Sequence, residues 1–521
     1  MKTNKRIVSV FIVMMGAGVA YAESPAQWYA EGEKAVNTAQ QLHANKHRAK
    51  NIILFVADGM GISTTTAARI LEGQLRGETG EENRLSFETM PYVALSKTYN
   101  TNQQTADSAG TMTAMMTGVK SKAGVISVNQ NVYRGDCASS KGNELVTFLE
   151  QAEMVGMSTG VVTTARLTHA TPAATYAHVP ERNWENDRNL LQQAVKNGCK
   201  DIARQLIEFP YGNGLEVAMG GGRGNFWPGN KADLEDKDKT GARGDRRNLT
   251  EEWVNNYRNA AFVWNKAQFD AIDADKTDHL LGLFDYSHME YDADRKDDVG
   301  GEPSLTEMTS KAIDILQKNH EGYFLMVESG RVDHGHHAGN AYRALTDTIE
   351  FSNAVKVAME KTRSRDTLII VTADHSHVFT IAGYPTRGNP ILGKVVGNDS
   401  RGEAMDDFSL ASDGKPYTTV GYANGRGYAM LEKGGDTRND VPVQSGRVAD
   451  LTLVDTTDAG FHQEALVPIS METHAAEDVV IYANGPGAYL VHGVQEQNYI
   501  YHVMNKASGM DKRKKAKTHP K

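Results

Sequence analysis

The 521-residue chain has only two cysteines, Cys137 and Cys199, and their spacing is not that of a zinc knuckle. No apolar run is long enough to span a bilayer as a helix, so no transmembrane helix is expected. No long-period repeat occurs, which excludes a solenoid or a propeller. Cations are also in deficit: 56 Lys and Arg stand against 65 Asp and Glu, a formal net charge of -9. Three of those cations fall in residues 1–22 and six in residues 512–521, so the body between is more acidic still. An acidic body argues against nucleic-acid binding.

The ends carry their own signals. Lys2, Lys5 and Arg6 precede an apolar stretch from Ile7 to Ala20, and Ala20-Tyr21-Ala22 forms a small-x-small cleavage site. Residues 1–22 are therefore predicted to be a secretory signal peptide. In an exported protein an isolated cysteine pair is expected as one disulfide; Cys137 to Cys199 would close a loop of roughly 60 residues, contributing ~4 kcal/mol on the chain-entropy model. The basic end, residues 507–521, is expected as a solvated, disordered tail.

Five apolar runs organise the rest. They cover 51–57 (followed by Asp58), 158–166, 323–327 (followed by Glu328), 367–373 (followed by Asp374 and His375) and 479–485 (preceded by His474). Helical stretches are predicted at 111–118, 142–153, 190–209, 305–319 and 341–361. This alternation predicts an α/β fold, a mostly parallel central sheet with helices on both faces. Ligands of such sheets sit outside the carboxyl ends of the strands. Two stretches break the alternation: a charged insertion at about 228–300, and an excursion rich in Gly, Asp and Thr at 384–470. The catalytic body is then 23–383 plus 471–506.

Several strand ends carry groups that bind metals. Glu328 is followed by Asp333, His334, His336 and His337; Asp374-His375-Ser376-His377 ends another run; Glu472 and His474 flank a third; Asp58 meets a glycine turn. Zinc accepts such nitrogen and oxygen ligands in open catalytic sites. Each cluster alone is modest, but their shared position points to one metal site. Ser108, just before a predicted helix, lies where backbone N–H groups favour an anion. A serine there fits phosphoryl or acyl transfer.

The segments Val56 to Gly61, Asp107 to Thr111, Val161 to His178 (VVTTARLTHATPAATYAH), Arg182-Asn183-Trp184, Val327 to His337 (VESGRVDHGHH), Thr372 to Phe379 (TADHSHVF) and Glu472 to Val479 (ETHAAEDV) closely resemble the signature segments of alkaline phosphatases, the animal-type branch above all. The resemblance runs in order from about Ala49 to Met504. It implies hydrolysis of small phosphate monoesters at alkaline pH through a phosphoserine on Ser108. It implies one zinc on Asp333, His337 and His474, a second on Asp58, Asp374, His375 and Ser108, and magnesium on Asp58, Thr171 and Glu328. Arg182 resembles the arginine that grips the phosphate oxygens, with Asp107 orienting it. His169 and His334 are expected just behind these groups, while His336 and His377 receive no role and are expected as solvated or hydrogen-bonded imidazoles. Thr171 stands where animal enzymes commonly have Ser.

These roles agree with the chemistry. A serine hydroxyl is a poor nucleophile until a metal lowers its pKa, and paired zinc ions clamp attacking and leaving oxygens. A guanidinium fork matches two phosphate oxygens, and magnesium takes hard oxygen ligands. The resemblance further implies a structural calcium in the insertion, on Glu235, the Phe284 carbonyl, Asp285 and Glu302. The 384–470 excursion lies where animal enzymes have a crown that joins two subunits, so a homodimer with Tyr384 reaching the partner subunit is expected. The end of the chain has no apolar anchor signal, and the expected location is the periplasm or outside the cell. A sulfatase would need a Cys/Ser-x-Pro-x-Arg segment, which Ser108-Ala109-Gly110-Thr111 is not; a phosphodiesterase of this class would lack Glu328; a catalytically dead binder would not need the nucleophile and a full ligand set.

Overall fold

Apolar runs become strands here because both of their faces meet apolar neighbours. The computed structural model describes residues 24–431, 443–444 and 446–518. The expected signal peptide and residues 519–521 lie outside them. Two compact units divide the chain at Leu42. The described part of the first is essentially one helix, Pro25–Gln40, started by a capping box in which Ser24 and Gln27 exchange hydrogen bonds.

The second unit, from His43, contains β1 (Asn51–Ala57), β2 (Tyr92–Lys97), β3 (Ser158–Arg166), β4 (Val217–Gly221), β5 (Ala260–Val263), β6 (His279–Leu283), β7 (Tyr323–Ser329) and β8 (Thr367–Ala373). Short strands follow: β9 (Ser376–His377), β10 (Phe379–Ile381), β11 (Val420–Gly425), β12 (Ala429–Met430), β13 (Phe461–His462), β14 (Ala465–Pro468) and β15 (His474–Ala475). The last two are β16 (Val479–Asn484) and β17 (Val494–Glu496). Ten of these form one sheet in the order β17-β2-β16-β8-β1-β7-β3-β4-β6-β5. Strand β16 runs antiparallel to both its neighbours, and the remaining pairs are parallel. In β1, Ile52, Leu54 and Val56 join a core with Met112, Met115 and Phe148, while Ile53, Phe55 and Ala57 join another with Phe87, Met308 and Phe351. Successive side chains of a strand point to opposite faces, so these are the two helix-covered faces of the predicted α/β fold.

Three expectations need correction. The insertion at 228–300 is not wholly outside the sheet: its two short apolar runs are β5 and β6, which form one end of it. The predicted helix at 190–209 is broken into Gln192–Lys196 and Ile202–Ile207, because Gly198 takes a positive φ of 80° and Asp201 caps a new helix through Arg204 N–H. The tail is helical as far as it is described, with Tyr499–Ser508 and Met510–Thr518 meeting at Gly509, whose φ is 64°. Cys137 and Cys199 form a disulfide that closes 62 residues. Within 384–470 lie β11 to β14; β11 and β14 form a three-stranded sheet with β10, and β12 pairs with β13.

Candidate active site

The carboxyl ends of β1, β7 and β8 deliver Asp58, Glu328 and the Asp374-His375 turn to one place, because these three strands are neighbours in register. Strand β16 runs the other way, so the residues before it arrive at the same edge. His474 pairs there with His377 through β15 and β9. The helix Arg331–His337 follows β7 and puts Asp333 and His337 one turn apart on one face.

The first cluster is Asp333, His337, His377 and His474, whose ligand atoms lie within 4.8 Å of one another. His337 Nδ1 sits 2.6 Å from the Glu472 carbonyl and His474 Nδ1 2.8 Å from that of Ala106. A carbonyl accepts only, so each Nδ1 carries the proton and each Nε2 a lone pair. Those two Nε2 atoms are 3.1 Å apart, and each is 3.3 Å from Asp333 Oδ1. Three lone-pair atoms facing one centre fit a cation. Burial pushes the Asp333 carboxyl up, but the imidazoles of His337, His377 and His474 outweigh it and hold the group well below its ordinary range.

The second cluster is Asp58, Asp374 and His375, all fully buried. His375 Nε2 lies 3.3 Å from Asp58 Oδ1, 3.3 Å from Asp374 Oδ2 and 3.3 Å from Ser108 Oγ. Ser108 Oγ is also 3.4 Å from Asp58 Oδ2. Asp374 is oriented by the Gly59 and His375 backbone N–H groups and by Thr111 Oγ1. Burial, then the charges of Asp374, Asp333 and Glu328, push Asp58 well above the usual carboxylate range.

The third cluster is Asp58, His169 and Glu328. Thr171 Oγ1 and one Glu328 oxygen are buried here without a hydrogen-bond partner, the other oxygen accepting from Thr163. Burial raises the Glu328 carboxyl to about 8. Unmet oxygens beside crowded carboxylates suit a hard cation.

Ser108 opens the helix Ser108–Thr117, and Asp107 is its cap, accepting from Gly110 N–H. Asp107 also accepts from Asn100, from Gly124 N–H and from Arg182 Nη1 at 3.1 Å. Arg182 Nη2 meets His169 Nε2 at 3.2 Å. Burial, first of all, holds His169, His334 and His375 well below the ordinary imidazole value. Ser108, Arg182 and the three clusters that could hold a metal therefore share one centre. The family model of alkaline phosphatases matches residues 49–510.

The chain belongs to the alkaline phosphatase family. Alkaline phosphatase, tissue-nonspecific isozyme, from Gallus gallus is 44% identical over 490 residues, covering 92% of this chain and 89% of the relative. The Homo sapiens isozyme is 42% identical over 489 residues, covering 92% and 88%. Among solved structures, the alkaline phosphatase of Thermus thermophilus superposes with a TM-score of 0.60 at 22% identity, covering 91% of this chain and 94% of that one. That of the Antarctic bacterium TAB5 gives 0.58 at 20%, covering 89% and 99%. The protein is thus a metal-dependent phosphomonoester hydrolase with the alkaline phosphatase fold. No described helix is long and apolar enough to cross a membrane.

Some alkaline phosphatase residues escaped sequence reasoning. His377 is not solvated: it is buried, 2.8 Å from Asp333 Oδ1 and 2.6 Å from Glu472 Oε2, and those carboxylates outweigh burial to raise it to about 10. His336 is also buried, bonded to Thr64 and Tyr422. His288, from the loop after β6, packs 4.1 Å from the His334 ring and 5.5 Å from that of His169. In the insertion Glu235 and Asp285 gather with Asp298, which was not foreseen. Glu302 lies alongside, one oxygen accepting from Glu290 N–H and the other buried without a partner. Phe284 is buried in a core on β6's side, its ring edge-on to Phe269.

Proposed function

We propose that this alkaline phosphatase works through Ser108 as the nucleophile, with zinc on Asp333, His337 and His474, a second zinc on Asp58, Asp374, His375 and Ser108, and magnesium on Asp58, Thr171 and Glu328. One observation carries the reading: three groups of carboxylate and imidazole atoms able to hold a metal converge around a serine at a helix start. When bound, the zinc ions supply Lewis acidity that activates hydroxyl and water and offsets phosphate charge, and magnesium supplies a further positive field. Arg182, backed by Asp107, holds two phosphate oxygens and aligns phosphorus with Ser108 Oγ. Ser108 Oγ displaces the alcohol, giving phosphoserine. Water then breaks the serine O–P bond, restoring the hydroxyl and releasing inorganic phosphate. Acid quenching during turnover of a labelled monoester tests this: label is expected on the Ser108 peptide and absent from Ser108→Ala of unchanged zinc content. Label on another residue overturns it.

The same reading extends outward. Calcium on Glu235, Asp285, Asp298 and Glu302 is supported by their crowding and by the two unmet oxygens of Asp298 and Glu302. A homodimer through the crown is supported by the exposure of Tyr384, Leu410 and Leu466 there. Sedimentation at two protein concentrations tests it, and a monomer at both ends the proposal. Export into an oxidising compartment is supported by the Cys137–Cys199 bond and the leader-like first 22 residues.

A further inference from the structure

At the amino end of β1, away from the metal clusters, a groove of about 320 Å³ lies between the segment preceding β1 and the two C-terminal helices. Lys46, His47, Arg48, Lys506 and Lys512 line it, against Asp511 as the one acid. The strand separates it from Asp58, about 20 Å for seven residues at the usual rise. Buried or half-buried cations such as Arg223, Arg243 and Lys361 are matched to Asp233, Asp201 and Asp314, whereas the groove's Lys46, Arg48, Lys506 and Lys512 are exposed. Lys46, Arg48, Lys506 and Lys512 form no ion pair with any described residue. Beside them, Arg513 donates to the Glu321 carbonyl, but its Nε and Nη2 are buried without an acceptor. Burial, and then the charge of Arg48, lower Arg513 from its ordinary value. On a chain of net charge -9, five basic residues gathered around one groove against a single acid mark a surface for an anion.

We propose that this groove docks a linear polyanion, a flexible chain of phosphate or sulfate groups, while the active centre at the other end of the sheet stays open. The shape favours a strand over a bilayer. The helix Met510–Thr518, sequence MDKRKKAKT, has no apolar stripe beyond the buried Met510 to enter a lipid surface. It also disfavours nucleic acid, because bases need stacking platforms and the groove offers only the rings of Tyr489 and His47.

The test uses full-length enzyme with dextran sulfate, a polyanion without phosphate groups, and long-chain polyphosphate as probes. Binding to both at low ionic strength, weakening steeply with salt, is expected. The triple variant Lys46→Gln/Arg48→Gln/Lys506→Gln should bind about tenfold or more weakly, with turnover of a small aryl phosphate unchanged. A triple variant of distant surface lysines, Lys231→Gln/Lys276→Gln/Lys296→Gln, should bind like the wild type. No binding, an equal loss in both triple variants, or tighter binding to anionic phospholipid vesicles or oligothymidylate than to either polymer would each overturn the proposal.

Discussion

Arg182 shows how one residue's role rests on its neighbours. Asp107 and His169 hold its two terminal nitrogens at 3.1 and 3.2 Å, so the fork is set before substrate arrives. A lysine there has one point charge and no fork. Arg182→Lys is expected to raise both KM and the inhibition constant of inorganic phosphate by about ten- to a hundredfold, the worth of a charged hydrogen bond. Unchanged phosphate inhibition would remove Arg182 from the phosphate grip. Glu472 acts one step further back. Its carboxylate, held to about 2 because His377 and His337 outweigh its burial, anchors His377, which in turn fixes Asp333. Glu472→Gln should weaken zinc retention by about ten- to a hundredfold, as loss of such an outer partner does elsewhere. Chelator competition reads this without an activity assay. Zinc loss at the wild-type rate would make Glu472 a mere packing group.

Elements decide which residues meet, and here the sequence was only partly legible. Strands β1, β7 and β8 were readable because burial on both faces demands unbroken apolar runs, and their last residues carried the site. The direction of β16 was not readable, since hydrophobicity is the same forwards and backwards. The motif around His474 was visible, but not that an antiparallel strand brings it, with Glu472, to the shared edge. His288 and Asp298 sit in a charged stretch without periodicity, and only the turns between β6 and the helix Leu305–Leu316 place them. Resemblance supplied the proposed ligand sets that spacing alone left open.

The short helix Phe148–Met154 gives a prediction at this scale. Its Glu150 caps the helix start through Thr147 N–H and also meets His178 Nε2 at 2.6 Å, while His178 Nδ1 donates to the Ser127 carbonyl. Burial lowers the imidazole pKa, but Glu150 and then the Ser127 carbonyl outweigh it, and the net shift is upward from 6.5. A group whose folded pKa is raised stabilises fully below its unfolded value and loses that contribution as pH climbs through the folded one. His178→Gln should therefore lower the melting temperature most at about pH 6 and progressively less toward alkaline pH. A deficit that grows with pH would show that the imidazole is held neutral.

At the scale of the whole molecule, the sheet has two ends and a working centre, and the end at β5 and β6 carries its own charge problem. Glu235, Asp285, Asp298 and Glu302 crowd there, with Arg223 shared between Asp233 and Glu235. Burial, reinforced by neighbouring carboxylates, raises Asp285 to about 6, Asp298 to about 7 and Glu302 well above the ordinary range. Such acids ionise together only at a cost, and a divalent cation with mixed oxygen ligands removes it. The loop after β6 links this cluster to the main centre, since only Tyr286 and Ser287 separate Asp285 from His288, whose ring packs on His334. Calcium in large excess over its dissociation constant should stabilise the folded state by about 3 kcal/mol and raise the melting temperature by a few degrees. Asp298→Asn and Glu302→Gln should blunt that rise. In alkaline calcium-free buffer, where these acids ionise, each should also melt slightly higher than the wild type, because one repelling charge is gone. Thermal scans with and without calcium decide it: an equal rise in wild type and both variants would put calcium elsewhere, and no rise in any would leave four crowded acids with no cation to hold.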